Sequence, residues 1–119
     1  MSKKYSIKHI DGITRIQFHS KPTYEETKSV IDEVAENFPY ERRMWNISNI
    51  NFNFTTNEII AISEYGKLKF TKPNKIALVA ADDLAYGEMR QFMVYREQQG
   101  VNIAGVFRNE DDAIKWLSQ

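Results

Sequence analysis

One short segment constrains the fold more than any other, the run KIALVAADD at residues 75–83. Residues 76–81 are apolar at every position, without the alternation that a strand exposed on one face would show. Strands with this pattern lie inside a sheet and are covered on both sides by other elements. We therefore predict a central strand over residues 76–81.

A hairpin is predicted at the other end of the chain. Two alternating segments, Tyr5–Ile10 and 13–19, flank Asp11 and Gly12, and both of these residues tolerate the positive φ angles of a primed hairpin turn. Such a turn sets the following pairs: Tyr5 with Phe18, Ser6 with Gln17, Ile7 with Ile16, Lys8 with Arg15, His9 with Thr14 and Ile10 with Ile13. We expect one apolar face and one wet face.

Helices and strands alternate along the remainder of the chain. The first helix begins at Pro22-Thr23, where Thr23 and Glu26 form a capping box. Hydrophobic spacing and end signals predict the following elements: helix 22–38, strand 43–47, helix 57–70, helix 84–98, strand Asn102–Phe107 and a short helix capped by Asn109. Right-handed crossovers then make most of the sheet parallel. We predict one α/β domain over residues 1–119, with the order β-β-α-β-α-β-α-β-α and a mixed five-stranded sheet.

Charge and composition exclude several classes of function. The 119 residues contain 16 basic and 16 acidic side chains, so no overall field attracts nucleic acid or an anionic membrane. The sequence has no cysteine, which excludes disulfides, thiolate metal sites and thiol nucleophiles. Neither a secretory signal nor a run of about 20 apolar residues is present. We expect a cytoplasmic protein without a transmembrane segment and without a nucleic-acid partner.

Asp82 and Asp83 have two interpretations. Adjacent carboxylates after a strand could belong to a divalent metal site, but such a site needs a third carboxylate at a neighbouring strand end, and Asn46 and Phe107 stand there. Alternatively, one aspartate accepts hydrogen bonds from the free N–H groups of the following helix. We favour the helix cap and predict no metal site.

No catalytic constellation stands out elsewhere. His9 and His19, the two histidines of the sequence, are too far apart along the hairpin to share an ion. The sequence lacks a glycine-rich phosphate loop and a serine-hydrolase elbow. We expect neither a catalytic residue nor a cofactor, and we rank an enzyme, with an uncommon site at Asp83, Arg90 and Tyr86, third among the functions.

The third helix is apolar over an unusually wide face. Its apolar side chains cover roughly 200 degrees, which is wider than the stripe of about 100 degrees on an ordinary surface helix. Either a neighbouring helix covers this face, or Tyr86, Met89 and Met93, with Phe52 and Phe54, line an apolar pocket or a homodimer contact.

Three segments carry a resemblance to a known family: Met44-Trp45-Asn46-Ile47, VAADDLAYG at residues 79–87 and VFRNEDDAIKWL at residues 106–117. In these the chain resembles the STAS-like superfamily, whose founding members are the bacterial anti-anti-sigma factors. More narrowly it is similar to the small stand-alone bacterial branch that is related to both STAS and the lipid-binding SEC14 fold. The resemblance implies an α/β fold and names no catalytic signature.

The resemblance also implies where a partner would bind. Anti-anti-sigma factors carry an Asp-Ser-Ser-Gly segment whose serine is phosphorylated by the partner kinase, and residues 54–57 occupy its place here, with hydroxyls at Thr55 and Thr56. The function expected first is therefore a non-catalytic module that binds a protein. The alternative is a carrier or sensor of a small apolar or lipid-like ligand. The possible contact or phosphorylation residues are Ser48, Phe52, Phe54, Thr55 and Thr56.

Overall fold

Helices and strands follow one another in the order β-β-α-β-α-β-α-β-α in the computed structural model, which describes residues 4–48, 50, 54–97 and 102–119. The elements are β1 (Tyr5–Ile10), β2 (Ile13–Phe18), α1 (Tyr24–Asn37), β3 (Arg42–Asn46), α2 (Thr56–Lys69), β4 (Asn74–Val79), α3 (Asp83–Glu97), β5 (Asn102–Phe107) and α4 (Glu110–Leu117). The predicted α/β class and element order are confirmed.

The five strands lie in the sheet in chain order, β1-β2-β3-β4-β5. β1 pairs with β2 in the antiparallel sense, and the pairs from β2 to β5 are parallel. Each parallel crossover therefore moves one position in the same direction. Because parallel crossovers are right-handed, α1, α2 and α3 lie on one face of the sheet, and α4 packs on the other face against β3, β4 and β5.

The hairpin has the predicted register at all six pairs. Asp11 and Gly12 have φ angles of 53° and 79°, as the primed turn requires. The expectation that the other face is wet fails at Ile13, however. Ile13 lies on the same side of β2 as Arg15, because side chains alternate along a strand, and it is buried in the core beneath α4.

Two cores lie on opposite faces of the sheet. Residues of α1, α2 and α3 pack on one face against Ile16, Phe18, Ile76, Leu78 and Ala104. The smaller core joins Ala113 and Leu117 of α4 to the other face, through Ile13, Met44, Ala77 and Val79. β4 contributes to both cores, which explains the absence of alternation in its sequence.

Element boundaries differ from the predictions by one or two residues. β3 and β4 begin before the predicted segments 43–47 and 76–81, because ladder pairing extends to Arg42 and Asn74. α2 and α3 begin at Thr56 and Asp83, one residue before the prediction in each case. The predicted end of the third helix, at residue 98, lies outside the described residues.

The first helix begins as the capping-box pattern predicts. Thr23 Oγ1 accepts from the Glu26 N–H at 3.0 Å, and Glu26 Oε1 accepts from the Thr23 N–H at 2.9 Å. Two of the free N–H groups at the helix start are therefore satisfied, a contribution of about 1 kcal/mol.

Gly105 of β5 allows an aromatic contact to form between Phe107 of β5 and Trp116 of α4. Phe107 and Trp116 pack with their ring centroids 5.3 Å apart. A Cβ atom at Gly105 would lie 2.9 Å from Cε2 of Phe107 and 3.4 Å from Cη2 of Trp116. The smaller core therefore needs a residue without a side chain at this position.

Two glycine substitutions test this packing. Gly105→Ala should lower the free energy of unfolding by about 1 kcal/mol, because both rings must shift. Gly87→Ala is the matched control: it lies inside α3, and its added Cβ would meet nothing within 4 Å, so we expect it to raise the free energy of unfolding by about 1 kcal/mol. Urea unfolding of the two variants measures both changes. A neutral Gly105→Ala would show that the rings do not require the glycine.

Candidate functional site

The residues singled out from the sequence gather at one end of the sheet, where β2, β3, β4 and β5 end. We call this the carboxyl end. In open parallel sheets, ligands bind in the crevices outside this end. The turn after β3 brings Ser48, and Phe54, Thr55 and Thr56 lead into α2; the turn after β4 brings Asp82 and Asp83 into the first turn of α3. Phe52 lies outside the described residues.

A buried asparagine organises the turn after β3. Asn46 Oδ1 accepts from the backbone N–H of Ser48 at 2.9 Å and also from its hydroxyl. Asn46 Nδ2 donates to Oε1 of Glu110 in α4 at 2.6 Å. The Ser48 hydroxyl is thus engaged within its own turn, and Asn46 connects that turn to α4 on the other face of the sheet.

The start of α2, by which we mean Phe54, Thr55 and Thr56, combines a buried ring with two exposed threonines. Thr55 is the N-cap: its Oγ1 accepts from the Glu58 N–H at 3.2 Å, and Glu58 Oε1 accepts from the Thr55 N–H at 3.0 Å. Thr56 is the first helical residue and is exposed. The Thr55 hydroxyl therefore has a structural role, while Thr56 projects a hydroxyl into solvent beside free helical N–H groups.

The two aspartates after β4 have separate roles. Asp82 Oδ1 accepts from the Ala85 N–H at 2.8 Å, which is an N-cap contact for α3. Asp83 pairs with Arg108 Nη1 at 2.9 Å, with its side chain 96% exposed. Within residues 4–48, 50, 54–97 and 102–119, no group of three or more histidine, cysteine, aspartate or glutamate residues is arranged so that it could hold a metal ion.

Arg108 connects the turn after β5 to the start of α3. Its Nη1 donates to the Ala81 carbonyl at 2.9 Å, in addition to the pair with Asp83. The guanidinium lies over the Tyr86 ring, 4.0 Å from its centroid. Tyr86 is half-buried, because its ring packs against the main core and also lies under this guanidinium.

The broad apolar face of α3 is covered in part by α2, since α3 packs against α2 and β5. A cavity of about 50 Å³ lies between the sheet and the three helices. Met89 and Phe54 are among the residues that line it, and Tyr86 and Met93 are not. The structure thus brings two of the predicted pocket residues together. The cavity is far smaller than the roughly 300–1,000 Å³ of ordinary ligand sites.

Glu88 is a site residue that the sequence analysis missed. It is 8% exposed, and its Oε1 accepts from the Phe54 N–H at 3.1 Å, which joins α3 to the start of α2. Oε2 of Glu88 is buried without a hydrogen-bond partner among the described residues. The available signal was its position, because Glu88 lies between Ala85 and Phe92 at helical spacing, within the apolar stripe of α3.

Burial raises the pKa of Glu88 above its ordinary value, because the charged carboxylate is poorly solvated. The hydrogen bond from the Phe54 N–H opposes this shift, Asp82 adds a repulsive contribution that raises the pKa, and Lys21 lowers it. Perturbed carboxyl groups of this kind are concentrated at functional sites in proteins.

Each histidine contacts residues of the hairpin or of the turn before β3, and none of the site residues described above. His9 Nδ1 is 2.9 Å from Thr14 Oγ1, and the His9 ring stacks on Tyr40 at 3.8 Å between centroids. His19 Nε2 is 3.2 Å from Ser6 Oγ. Each ring is held by a neighbour of its own.

A second concavity, of about 420 Å³, lies at the opposite end of the sheet, between the ends of α1 and α2. Its floor includes Arg43, which is 1% exposed. The Arg43 guanidinium stacks on Phe70 at 3.7 Å and donates to Asn74 Oδ1 at 2.8 Å, while Lys69 at the rim pairs with Asp32 at 3.2 Å. Arg43 and Lys69 are thus both engaged by side chains of the protein itself.

Separate substitutions distinguish the roles of the two aspartates. Asp82→Ala should lower the free energy of unfolding by about 1 kcal/mol, whereas Asp82→Asn should cost little because asparagine also caps. Asp83→Ala should be nearly neutral, since exposed ion pairs contribute little. Thermal unfolding with and without magnesium measures these effects. We expect no response to magnesium. A stabilisation of the wild type by magnesium that is absent from the double variant Asp82→Asn, Asp83→Asn would instead reveal a metal site.

Glu88 should make stability depend on pH. A group whose pKa is raised in the folded protein contributes stability that is present below its unfolded pKa and is lost as the pH rises through its folded pKa. Glu88→Gln should therefore raise the melting temperature by a few degrees at neutral pH, with a gain that shrinks on acidification. Glu36→Gln, an exposed change in α1, is the control. A constant difference between Glu88→Gln and wild type across the pH range would exclude this linkage.

Comparison with known proteins assigns no family. No protein-family model matches the chain, and no curated protein matches it in sequence. No helix in the described part of the chain is long and apolar enough to cross a membrane.

Proposed function

We propose that this chain is a non-catalytic, STAS-like binding module whose protein partner contacts the start of α2 and the adjoining first turn of α3. The observation that carries the proposal is the hydrogen bond from the Phe54 N–H to the buried Glu88 carboxylate. It fixes the backbone that leads into α2 against α3. The start of α2 and the first turn of α3 are thereby held together as one surface.

The chemistry of this surface suits recognition by a protein. Thr56, Asp82 and Asp83 are exposed, and each lies at or beside a helix N-terminus, where backbone N–H groups remain free to donate hydrogen bonds to a partner's acceptor atoms. The buried ring of Phe54 supports the surface from below, within the main core. A preformed surface of this kind costs a partner little ordering free energy.

The resemblance to anti-anti-sigma factors supports the same surface, because Thr55 and Thr56 occupy the place of that family's phosphorylated segment. A phosphate on Thr56 would lie near the positive end of the α2 dipole, and the fold would tolerate it there. The added negative charge would change the partner surface directly. A cytoplasmic location belongs to the same proposal.

A carrier of a small apolar ligand is the second candidate, and the cavity that Phe54 and Met89 help to line is the observation that favours it. Its volume of about 50 Å³ is about a third of an engineered cavity of about 150 Å³ that takes up benzene. A lipid-like ligand would therefore require the three helices to move apart. The protein-binding module needs no such rearrangement and is the function we favour.

Capture of partners with matched surface variants tests the proposal. Thr56→Arg places a positive charge on the proposed surface, and Asn37→Arg makes the same change of charge at an exposed position at the end of α1. We expect the wild type and Asn37→Arg to retain one near-stoichiometric protein from a lysate of the source cells, and Thr56→Arg to lose most of it. Equal capture by all three proteins would exclude this surface.

Native mass spectrometry of the same purified proteins separates the two candidate functions. Under the proposal, the wild type carries no bound small molecule and the captured protein accounts for the added mass. A fatty acid or phospholipid retained by the wild type, with no protein captured, would favour the carrier and overturn the module.

A further inference from the structure

Glu88 combines three properties that an ordinary structural glutamate does not have together. Its carboxyl group is buried, one oxygen accepts the Phe54 N–H at 3.1 Å, and the other oxygen has no partner within the described part of the chain. A charged carboxylate in this position binds the N–H strongly, since charge-assisted hydrogen bonds are about twice as strong as neutral ones. The same charge is costly because its second oxygen is buried and unsatisfied.

Protonation of Glu88 therefore has two opposite effects. It removes the cost of burying the charge, which stabilises the fold as a whole. It also replaces a charge-assisted hydrogen bond to Phe54 by a neutral one, which weakens the contact between α3 and the start of α2. When the pH falls, the free energy of unfolding should therefore rise, while the hydrogen bond between Glu88 and the Phe54 N–H should weaken.

Few other charges act on this group. Asp82, at the start of α3, repels the carboxylate, and Lys21, in the connection between β2 and α1, attracts it. α2 and β5 pack against α3. The buried residues of α2 carry no titratable group: Ile59, Ile62, Ser63 and Gly66. Lys67 of α2 has a side chain that is 12% exposed and pairs with Glu64 at 4.0 Å. Ala104 and Val106 of β5 are apolar members of the main core.

We propose that Glu88 is a pH-sensitive link that regulates the start of α2 by holding Phe54 firmly when it is ionised and loosely when it is protonated. This inference rests on the proposed function for its biological meaning, since the start of α2 is the surface offered to the partner. A partner that needs the ordered α2 start binds more tightly when Glu88 is ionised.

Amide hydrogen exchange measured by NMR on the isolated protein tests the link. The Ile59 amide is the internal reference, because it donates to the Thr55 carbonyl at 3.0 Å in the same region and its acceptor is not Glu88. As the pH is lowered through the raised pKa of Glu88, we expect the protection of the Phe54 amide relative to Ile59 to fall roughly fivefold, as the weaker neutral hydrogen bond implies. The carboxyl ¹³C signal of Glu88 should titrate with the same midpoint.

Glu88→Gln is the matched variant, because glutamine keeps the acceptor oxygen and cannot ionise. Its Phe54 protection relative to Ile59 should be low at every pH. An unchanged ratio in the wild type, or an equal pH response in Glu88→Gln, would overturn the link. A glutamate with a purely structural role would alter stability without this selective loss of protection at Phe54.

The exchange experiment and the partner capture fail independently. Protection that responds to pH without any captured partner would support the link and reject the proposed function. A partner captured through Thr56, together with pH-independent protection of Phe54, would support the proposed function and reject the link.

Discussion

Burial of β4 on both faces is the constraint on which the rest of the structure depends. Ile76 and Leu78 face α1, α2 and α3, while Ala77 and Val79 face α4. Because side chains alternate along a strand, one uninterrupted apolar segment supports two separate cores. The small side chain of Ala77 leaves room for α4 to approach the sheet. Every other strand is placed relative to this one, directly or through a neighbour.

The two faces are covered unequally, because the strands follow chain order. Right-handed crossovers between successive parallel strands place three helices on one face, and the short α4 alone packs on the other. The smaller core depends on close contacts as a result. Gly105 lies beneath the rings of Phe107 and Trp116, and Lys75 reaches across to donate to the Trp116 carbonyl at 2.7 Å.

The same topology places α2, α3 and α4 with their N-termini at the carboxyl end of the sheet. Free N–H groups and the positive ends of the helix dipoles gather there, and side chains satisfy many of them: Thr55 caps α2, Asp82 caps α3 and Asn109 caps α4. Glu88 differs from these caps because it lies one turn inside α3 and reaches a backbone N–H of another element. The proposed partner surface and a buried carboxyl group are thereby joined by one hydrogen bond.

Local chemistry in the sequence determined much of the fold. The Asp11-Gly12 turn set the register of the hairpin, since only residues that tolerate positive φ fit a primed turn, and the Thr23 and Glu26 pattern identified the start of α1. The continuous apolar run of β4 predicted a strand covered on both sides. Each of these features depends on residues close together in the chain.

Features that depend on distant residues were decided by the tertiary structure alone. One face of the hairpin was expected to be wet, because nothing near it in the sequence reveals that α4 covers Ile13 on that face. For Glu88, the sequence shows only that it lies in the apolar stripe of α3. Its hydrogen bond with the N–H of Phe54, 34 residues away in sequence, is a feature of the tertiary structure. Whether a polar group is buried depends on which elements pack over it, and the packing follows from the order of the strands in the sheet. The sequence thus determined the elements and their local ends, and the tertiary structure decided which side chains form a site.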